Sequence, residues 1–457
     1  MSVRLLRLIL SLLSAVAGTA LSADGEPDAA FGTDGEYPGH GFYPGLFGAG
    51  RSDSLVAVLP AGPYVYVVGN LQSGADEYRL GVYRLDANGH PDHGFGDAGL
   101  RSYVPPCATG RVGDALVDGA GRLWLAIMGC GDFTLYRLTA DGDLDAGLLG
   151  SGVLTIAFDR GGDGDDRVTK LALTSAGTLL AGGSAAADPR ALLAIAHVTL
   201  DGQPVAGFGD AGRATLAMSV AARSVNGLFR MADGRIVATG YRLGNGGTHI
   251  EYAARLQSGG QPDAGFGADG PGYSLHDPLA LPVPVSGNAG GSMLLRDGSI
   301  LRTGTLDGDY YLGRWRPDGL PDLAFGPGGL RRYALDFAGP NPANALHNLD
   351  AARRIVRQGD GRFLIVGQSY AADGRRGISL LRLMPDFEPD AGFGNGGKLR
   401  YLLPIASDGI HEMSAVSLDV LPGRILVGAN VATGAGPAQI QTVAALSNDL
   451  LFADAFE

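Results

Sequence analysis

An all-β fold, a seven-bladed β-propeller, is what this chain predicts, and three observations carry the prediction. A six-letter motif returns seven times in phase, short apolar runs alternate with glycine turns, and the composition is hostile to long helices. The motif is PDAGFG, at 262–267 and again at 389–394. Its relatives are PDAAFG at 27, PDHGFG at 91, LDAGLLG at 144, PVAGFG at 204 and PDLAFG at 321. The Phe or its replacement falls at 31, 95, 148, 208, 266, 325 and 393, in steps of 53 to 68 residues. Such a period marks a repeat architecture and has to be read before any single residue is. Gly (75) and Pro (25) together take about a fifth of the 457 residues, and both are the poorest helix formers. Yet 45% of the chain is hydrophobic, enough for a packed core.

Within each repeat the same elements follow in order. After FGxxG comes strand A, as in LRSYV (100–104), VLTIAF (153–158) and KLRYLL (398–403). A loop of variable length leads to strand B, which runs into a Gly-containing turn such as MADGR or RQGDGR. Strand C is a short apolar run expected to end in Gly, at Gly69, Gly129, Gly240, Gly367 and Gly428. Strand D carries an Arg, as in VYRLDANG and AARLQSGG. Short runs between glycine turns are the pattern of antiparallel strands, and seven units of four strands give a propeller. Another blade number or a β-solenoid is the alternative fold. NALHNLDAARRIVRQ (344–358) has the look of a helix in isolation, but the repeat register makes its second half strand B.

The first 22 residues read as a secretory signal peptide: Arg4 and Arg7, an apolar stretch from Leu8 to Ala17, then small residues at Ala20 and Ser22. Residues 23–457 then form one propeller domain with a short C-terminal tail, exported to the periplasm or beyond, with no membrane insertion expected. The formal charge of -12 becomes more negative once Arg4 and Arg7 are removed. An acidic chain whose basic residues are scattered lacks the footprint of a nucleic-acid binder. Cys107 and Cys130, the two cysteines, are expected to form a disulfide in an oxidising compartment.

The recurring DG, PDxxFGxxG and apolar run closing in Gly resemble the bacterial delta-60 repeat. The resemblance spans about residues 24 to 450; it implies a β-propeller and carries no assigned activity.

An Arg stands eight residues before the motif Asp in five copies: Arg84 and Asp92, Arg137 and Asp145, Arg255 and Asp263, Arg314 and Asp322, Arg382 and Asp390. In one further copy the positions hold His197 and Val205, and at the C-terminus Ala445 and Ala453. Joint presence or joint absence is what an Arg–carboxylate brace produces, because a partly buried charge without its partner is costly. A catalytic Asp repeated around a ring is the weaker reading.

Function is sought where the copies differ, in the A–B and C–D loops on one face, since binding groups ride on loops over a rigid scaffold. Asp163, Asp165 and Asp166 offer oxygen ligands for calcium, although the twelve-residue EF-hand pattern is absent; no other cofactor is indicated. His276, Asp277, His347, His411 and Glu412 fall in the same loops and are candidates for an acid/base or metal site if they converge. No GxSxG, HExxH, P-loop or dinucleotide fingerprint occurs in a supporting context. The expectation is a binding or scaffold protein for a protein, glycan or surface component, more than an enzyme. The alternative is a secreted hydrolase or lyase acting on an extracellular polymer.

Overall fold

The computed structural model describes residues 24–32, 39–43, 52–74, 77–222, 224–243, 249–276, 290–306, 308–337, 350–371, 375–402, 412–432 and 439–448. Residues 1–22, expected to be a signal peptide, lie outside these, as do three of the loop candidates, Asp277, His347 and His411.

Among the described residues, twenty-eight strands form seven four-stranded antiparallel sheets. Blade 1 is β2 (Ser54–Ala61), β3 (Tyr64–Gln72), β4 (Tyr78–Asp86) and β5 (Leu100–Tyr103); blade 2 is β6 (Arg111–Val117), β7 (Leu123–Met128), β8 (Phe133–Leu138) and β9 (Val153–Ile156). Blade 3 is β10 (Arg167–Leu173), β11 (Thr178–Ala185), β12 (Leu192–Thr199) and β13 (Arg213–Leu216); blade 4 is β14 (Ser224–Arg230), β15 (Ile236–Leu243), β16 (His249–Leu256) and β17 (Tyr273–His276). Blade 5 is β18 (Ser292–Leu294), β19 (Ile300–Leu306), β20 (Asp309–Trp315) and β21 (Leu330–Tyr333); blade 6 is β22 (Ala351–Arg357), β23 (Phe363–Tyr370), β24 (Arg376–Leu383) and β25 (Lys398–Tyr401). Blade 7 joins β26 (Glu412–Leu421), β27 (Arg424–Ala432) and β28 (Gln439–Ser447) to β1 (His40–Tyr43) from the other end of the chain. The segment 351–357, helix-like in isolation, is strand β22.

Each blade is therefore offset from the sequence repeat: it takes strands B, C and D of one copy and strand A of the next. Of the two closure schemes open to the chain, the ring uses the one in which both ends share a sheet. His40 pairs with Ala444 and Tyr43 with Gln441, and a further bridge joins Pro27 to Leu446. The B strands of adjacent blades lie side by side around the axis.

The glycine expected to end strand C lies inside it in most blades. Gly240 is in mid-β15 and Gly367 in mid-β23, while Gly129 does follow the last residue of β7. The physical reason is a β-bulge in the facing B strand, between Val225 and Gly227 in blade 4 and between Ala352 and Arg354 in blade 6. A Cβ on Gly240 would sit 2.0 Å from the Ser224 carbonyl oxygen, and one on Gly367 1.9 Å from that of Ala351. The bulge brings a carbonyl onto the glycine, which only a missing side chain permits.

The motif Phe residues plug the seams between blades. Phe31, Phe95, Phe208, Phe266, Phe325 and Phe393, with Leu148 in the remaining copy, are all buried. Phe95 of blade 1 lies under Gly142 in the turn of blade 2, and Phe266 of blade 4 under Gly319 in the turn of blade 5; an added Cβ would stand 2.7 Å from either ring.

Candidate functional site

One face of the ring carries the B–C turns and the D–A connections. Here the motif Asp of five copies meets the strand-D Arg eight residues earlier: Nε to Oδ2 is 2.8 Å for Arg84 and Asp92, 2.7 Å for Arg137 and Asp145, 2.6 Å for Arg255 and Asp263, and 2.8 Å for Arg382 and Asp390. Arg314 and Asp322 are looser at 3.5 Å. The same guanidinium groups reach the next blade. Arg84 donates to the Ala140 carbonyl at 2.7 Å, Arg137 to that of Leu200, and Arg255 to that of Pro317. Arg84, Arg255 and Arg382 also lie over the plug rings Phe95, Phe266 and Phe393 at 4.7, 4.6 and 4.5 Å. Burial alone would raise the Asp263 carboxyl. Hydrogen bonds from Arg255, the Gly265 N–H and Arg235 outweigh it and hold the group below its ordinary value.

The rule of joint presence needs a correction at ring closure. Asp28 of the first motif fills the blade-7 place that the repeat register assigns to Ala453, which lies outside the described residues; the Asp28 N–H bonds to the Ala445 carbonyl at 2.9 Å. The Asp is present although strand D supplies only Ala445. Its partner is Arg424 from the neighbouring strand β27, with Nε 2.6 Å from Oδ2. Sheet register makes Arg424 the equivalent of Arg235 and Arg362, which also reach their blades' Asp263 and Asp390 at 3.2 and 2.9 Å. In blade 3 the same two positions hold His197 and Thr178, joined Nε2 to Oγ1 at 2.8 Å. Burial, then Arg230, pull that imidazole down to about 4, so it is neutral at pH 7.

The opposite face carries the A–B and C–D loops. Asp166 is buried there, and its carboxylate accepts the N–H groups of Phe158 at 3.0 Å and Ala186 at 2.8 Å. It ties two loops together and does not join Asp163 and Asp165 in one outward ligand set. Asp163 Oδ1 accepts the Asp165 N–H at 3.1 Å, and Asp165 accepts Arg167 Nε at 2.6 Å. Asp350 holds the matching place before β22; burial, then Asp309, push its carboxyl up to about 7. The disulfide Cys107–Cys130 joins the loop after β5 to the loop after β7.

His276 and Glu412 do not come together. Glu412 of blade 7 pairs with Arg376 at 3.0 Å. His276 closes β17 opposite Glu251, with its ring edge-on to Trp315 at 6.3 Å. Among the described residues no three His, Cys, Asp or Glu side chains gather where a metal ion would be held. What lies beside His276 is a buried cluster that sequence reasoning missed. Arg302 and Tyr311 of blade 5 bond to the Glu251 carboxylate of blade 4, and Arg302 stacks over Trp315 at 4.1 Å. Burial pulls the guanidinium of Arg302 down to about 10. The signal was available: in register, Arg302 replaces Ala238 and Ile365, which are apolar in their own blades.

Cavities open on this face. A groove of about 750 Å³ runs over blade 3 between Asp163, Asp165 and Arg167 on one side and Asp188, Arg190 and Ala222 on the other. Arg190 donates to the Ser219 carbonyl, fixing the C–D loop of blade 3 against the connection to blade 4. A second cavity of about 400 Å³ lies on the ring axis, where B strands of different blades face one another; Asp114, Lys170, Asn226 and Arg354 line it. Lys170 Nζ pairs with Asp114 at 3.0 Å.

A family model described as a domain of unknown function, DUF5122 beta-propeller, matches residues 232–266 and 358–393. No curated protein matches the chain. Among solved structures, polysaccharide lyase Uly1 is 12% identical with a TM-score of 0.48, covering 93% of this chain and 98% of its own. Streptogramin B lyase is 11% identical with a TM-score of 0.45, covering 88% and 98%. Puromycin hydrolase is 18% identical with a TM-score of 0.47, covering 84% of this chain, which spans half the length of that protein.

Proposed function

We propose that this β-propeller is an exported binding protein that holds a protein, glycan or surface component in the groove over blade 3. The groove is the observation that carries the reading. It lies on the face where the repeats diverge, and it mixes small apolar residues with charges of both signs, as recognition sites do. The disulfide joining two loops of that face supports export, since disulfides persist in oxidising compartments.

The test is a glycan and peptide array probed with the purified protein and with the double variant Asp163→Lys, Arg190→Glu. The expected result is one or more ligand classes retained by the native protein and weakened at least about tenfold in the variant, whose circular dichroism still reports the folded β protein. Ligand binding indifferent to both substitutions overturns the reading.

A further inference from the structure

The B strands do not line the axis evenly. Each bulge places an extra residue in the B strand, and blades 7 and 1 put Val416 and Val56 there. Blades 3, 4 and 6 put Thr169, Asn226 and Arg353 at the matching places. Lys170 and Arg354 follow directly in the chain. One side of the axis is therefore polar and cationic inside a protein of formal charge -12.

The charges of the axial cavity do not balance among themselves. Lys170 is answered by Asp114 at 3.0 Å, and Arg167 by Asp165. Arg354, half-buried in the same wall, has no ion-pair partner among the described residues; it donates to the Arg353 carbonyl at 3.3 Å. Cation sits beside cation: burial first, then Arg354 and Arg376, lower the affinity of Arg353 for its proton, and burial does the same to Arg354 against the pull of Asp114. A desolvated guanidinium of this kind gains most from an anion that offers paired oxygens to its planar donors. The cavity is also reachable. Arg167 begins β10, Ser224 begins β14 and Tyr241 lies near the end of β15, and all three line it, so it opens toward the loop face.

We infer that the axial cavity binds the oxyanion group of a small organic ligand, a carboxylate or a phosphate, with Arg354 as its principal contact and Lys170 and Arg167 beside it. The volume of about 400 Å³ fits a monosaccharide-sized molecule and not a polymer segment. The inference goes beyond the groove reading; the two cavities share Arg167, while Arg354 belongs to the axial one alone.

Calorimetric titration of the whole protein with D-glucuronate, inorganic phosphate and D-glucose tests it. The expected result is binding of at least one anion, none of glucose, and weakening as salt screens the charges. Glucuronate alone identifies a carboxylate site, phosphate alone a phosphoryl site, and both together a general oxyanion site. Arg354→Gln is expected to cost about tenfold or more in affinity, whereas Arg190→Gln in the groove leaves it unchanged. Should Arg354→Gln fail to fold, protection of Arg354 from phenylglyoxal by the bound anion, mapped by mass spectrometry, reads the same contact. Anions that bind no better than glucose, an Arg354→Gln protein that binds like the native one, or no protection of Arg354, overturns the inference. A groove variant that loses its array ligand but keeps the anion leaves this site standing, and the reverse result removes it alone.

Discussion

Arg424 and Asp28 stand 396 residues apart in the chain and meet at 2.6 Å in blade 7, where the two ends of the protein share one sheet. The pair does at ring closure what a single copy does elsewhere with Arg and Asp eight residues apart. Arg424 also donates to the Ala87 carbonyl of blade 1 and lies over Phe31 at 5.3 Å. One side chain thus ties the last blade to both the first motif and the first blade.

Asp28→Asn and Arg424→Met are each expected to lower stability by about 1–3 kcal/mol, less than for a fully buried pair because both groups keep some solvent contact. A double-mutant cycle by thermal melting should return a coupling of the same sign. Additive losses would mean that the two side chains stabilise closure separately.

Asp263→Asn leaves Arg255 facing a neutral partner in a nearly closed site, and a loss of about 2–4 kcal/mol is expected near neutral pH. The native carboxyl is held below its ordinary value, so its contribution is present above the unfolded value near 4 and fades as pH falls through the folded one. The gap between native and variant in urea unfolding should therefore narrow from about pH 6 toward about pH 3. A gap that does not change with pH argues for packing over charge.

Asp350 runs the other way. Its carboxyl titrates at about 7, above an unfolded value near 4, so it favours the folded state when protonated. That advantage is lost as pH rises through about 7. Asp350→Asn is expected to raise the melting temperature by about 2 °C or more at pH 8 and to leave it unchanged near pH 4. Equal shifts at both pH values would point to a cause other than ionisation.

Gly367→Ala places a Cβ 1.9 Å from the Ala351 oxygen, whereas a Cβ on Gly119 meets nothing within 4 Å. The first substitution should cost about 2 kcal/mol or more and the second less than about 0.5 kcal/mol. Comparable melting of the two variants would mean that the bulge yields easily.

Replacing Cys107 and Cys130 by Ser opens a short loop on the face that carries the A–B and C–D loops. A loss of about 3 kcal/mol is expected from the chain-entropy model, seen as a lower melting temperature under oxidising conditions. Native protein in excess reductant should melt at the temperature of the double variant.

Much of this architecture was legible because it is local. PDAGFG at 262–267 and its relatives, the turn glycines, and the Arg eight residues before each motif Asp lie within a few tens of residues of what they touch. The bulge opposite Gly240 was not legible, since a bulge depends on which residue of the partner strand is left unpaired. Nor was the inward turn of Asp166, which shares its sequence neighbourhood with the outward Asp163 and Asp165. Glu251 and Arg302 left a trace as charged residues at core positions, but their meeting requires two blades to pack.

The period, the strands, the turn chemistry and the five short-range Arg–Asp pairs are written into the order of residues, because each follows from side chains that are neighbours along the chain. Tertiary structure alone decided the offset of blade from repeat, the exchange of Ala445 for Arg424 as the reach toward Asp28, and the axial cavity around Arg354. The physical reason is closure. Only when β1 joins β28 does a linear series of copies acquire an axis, and only then do side chains from opposite blades face each other across it.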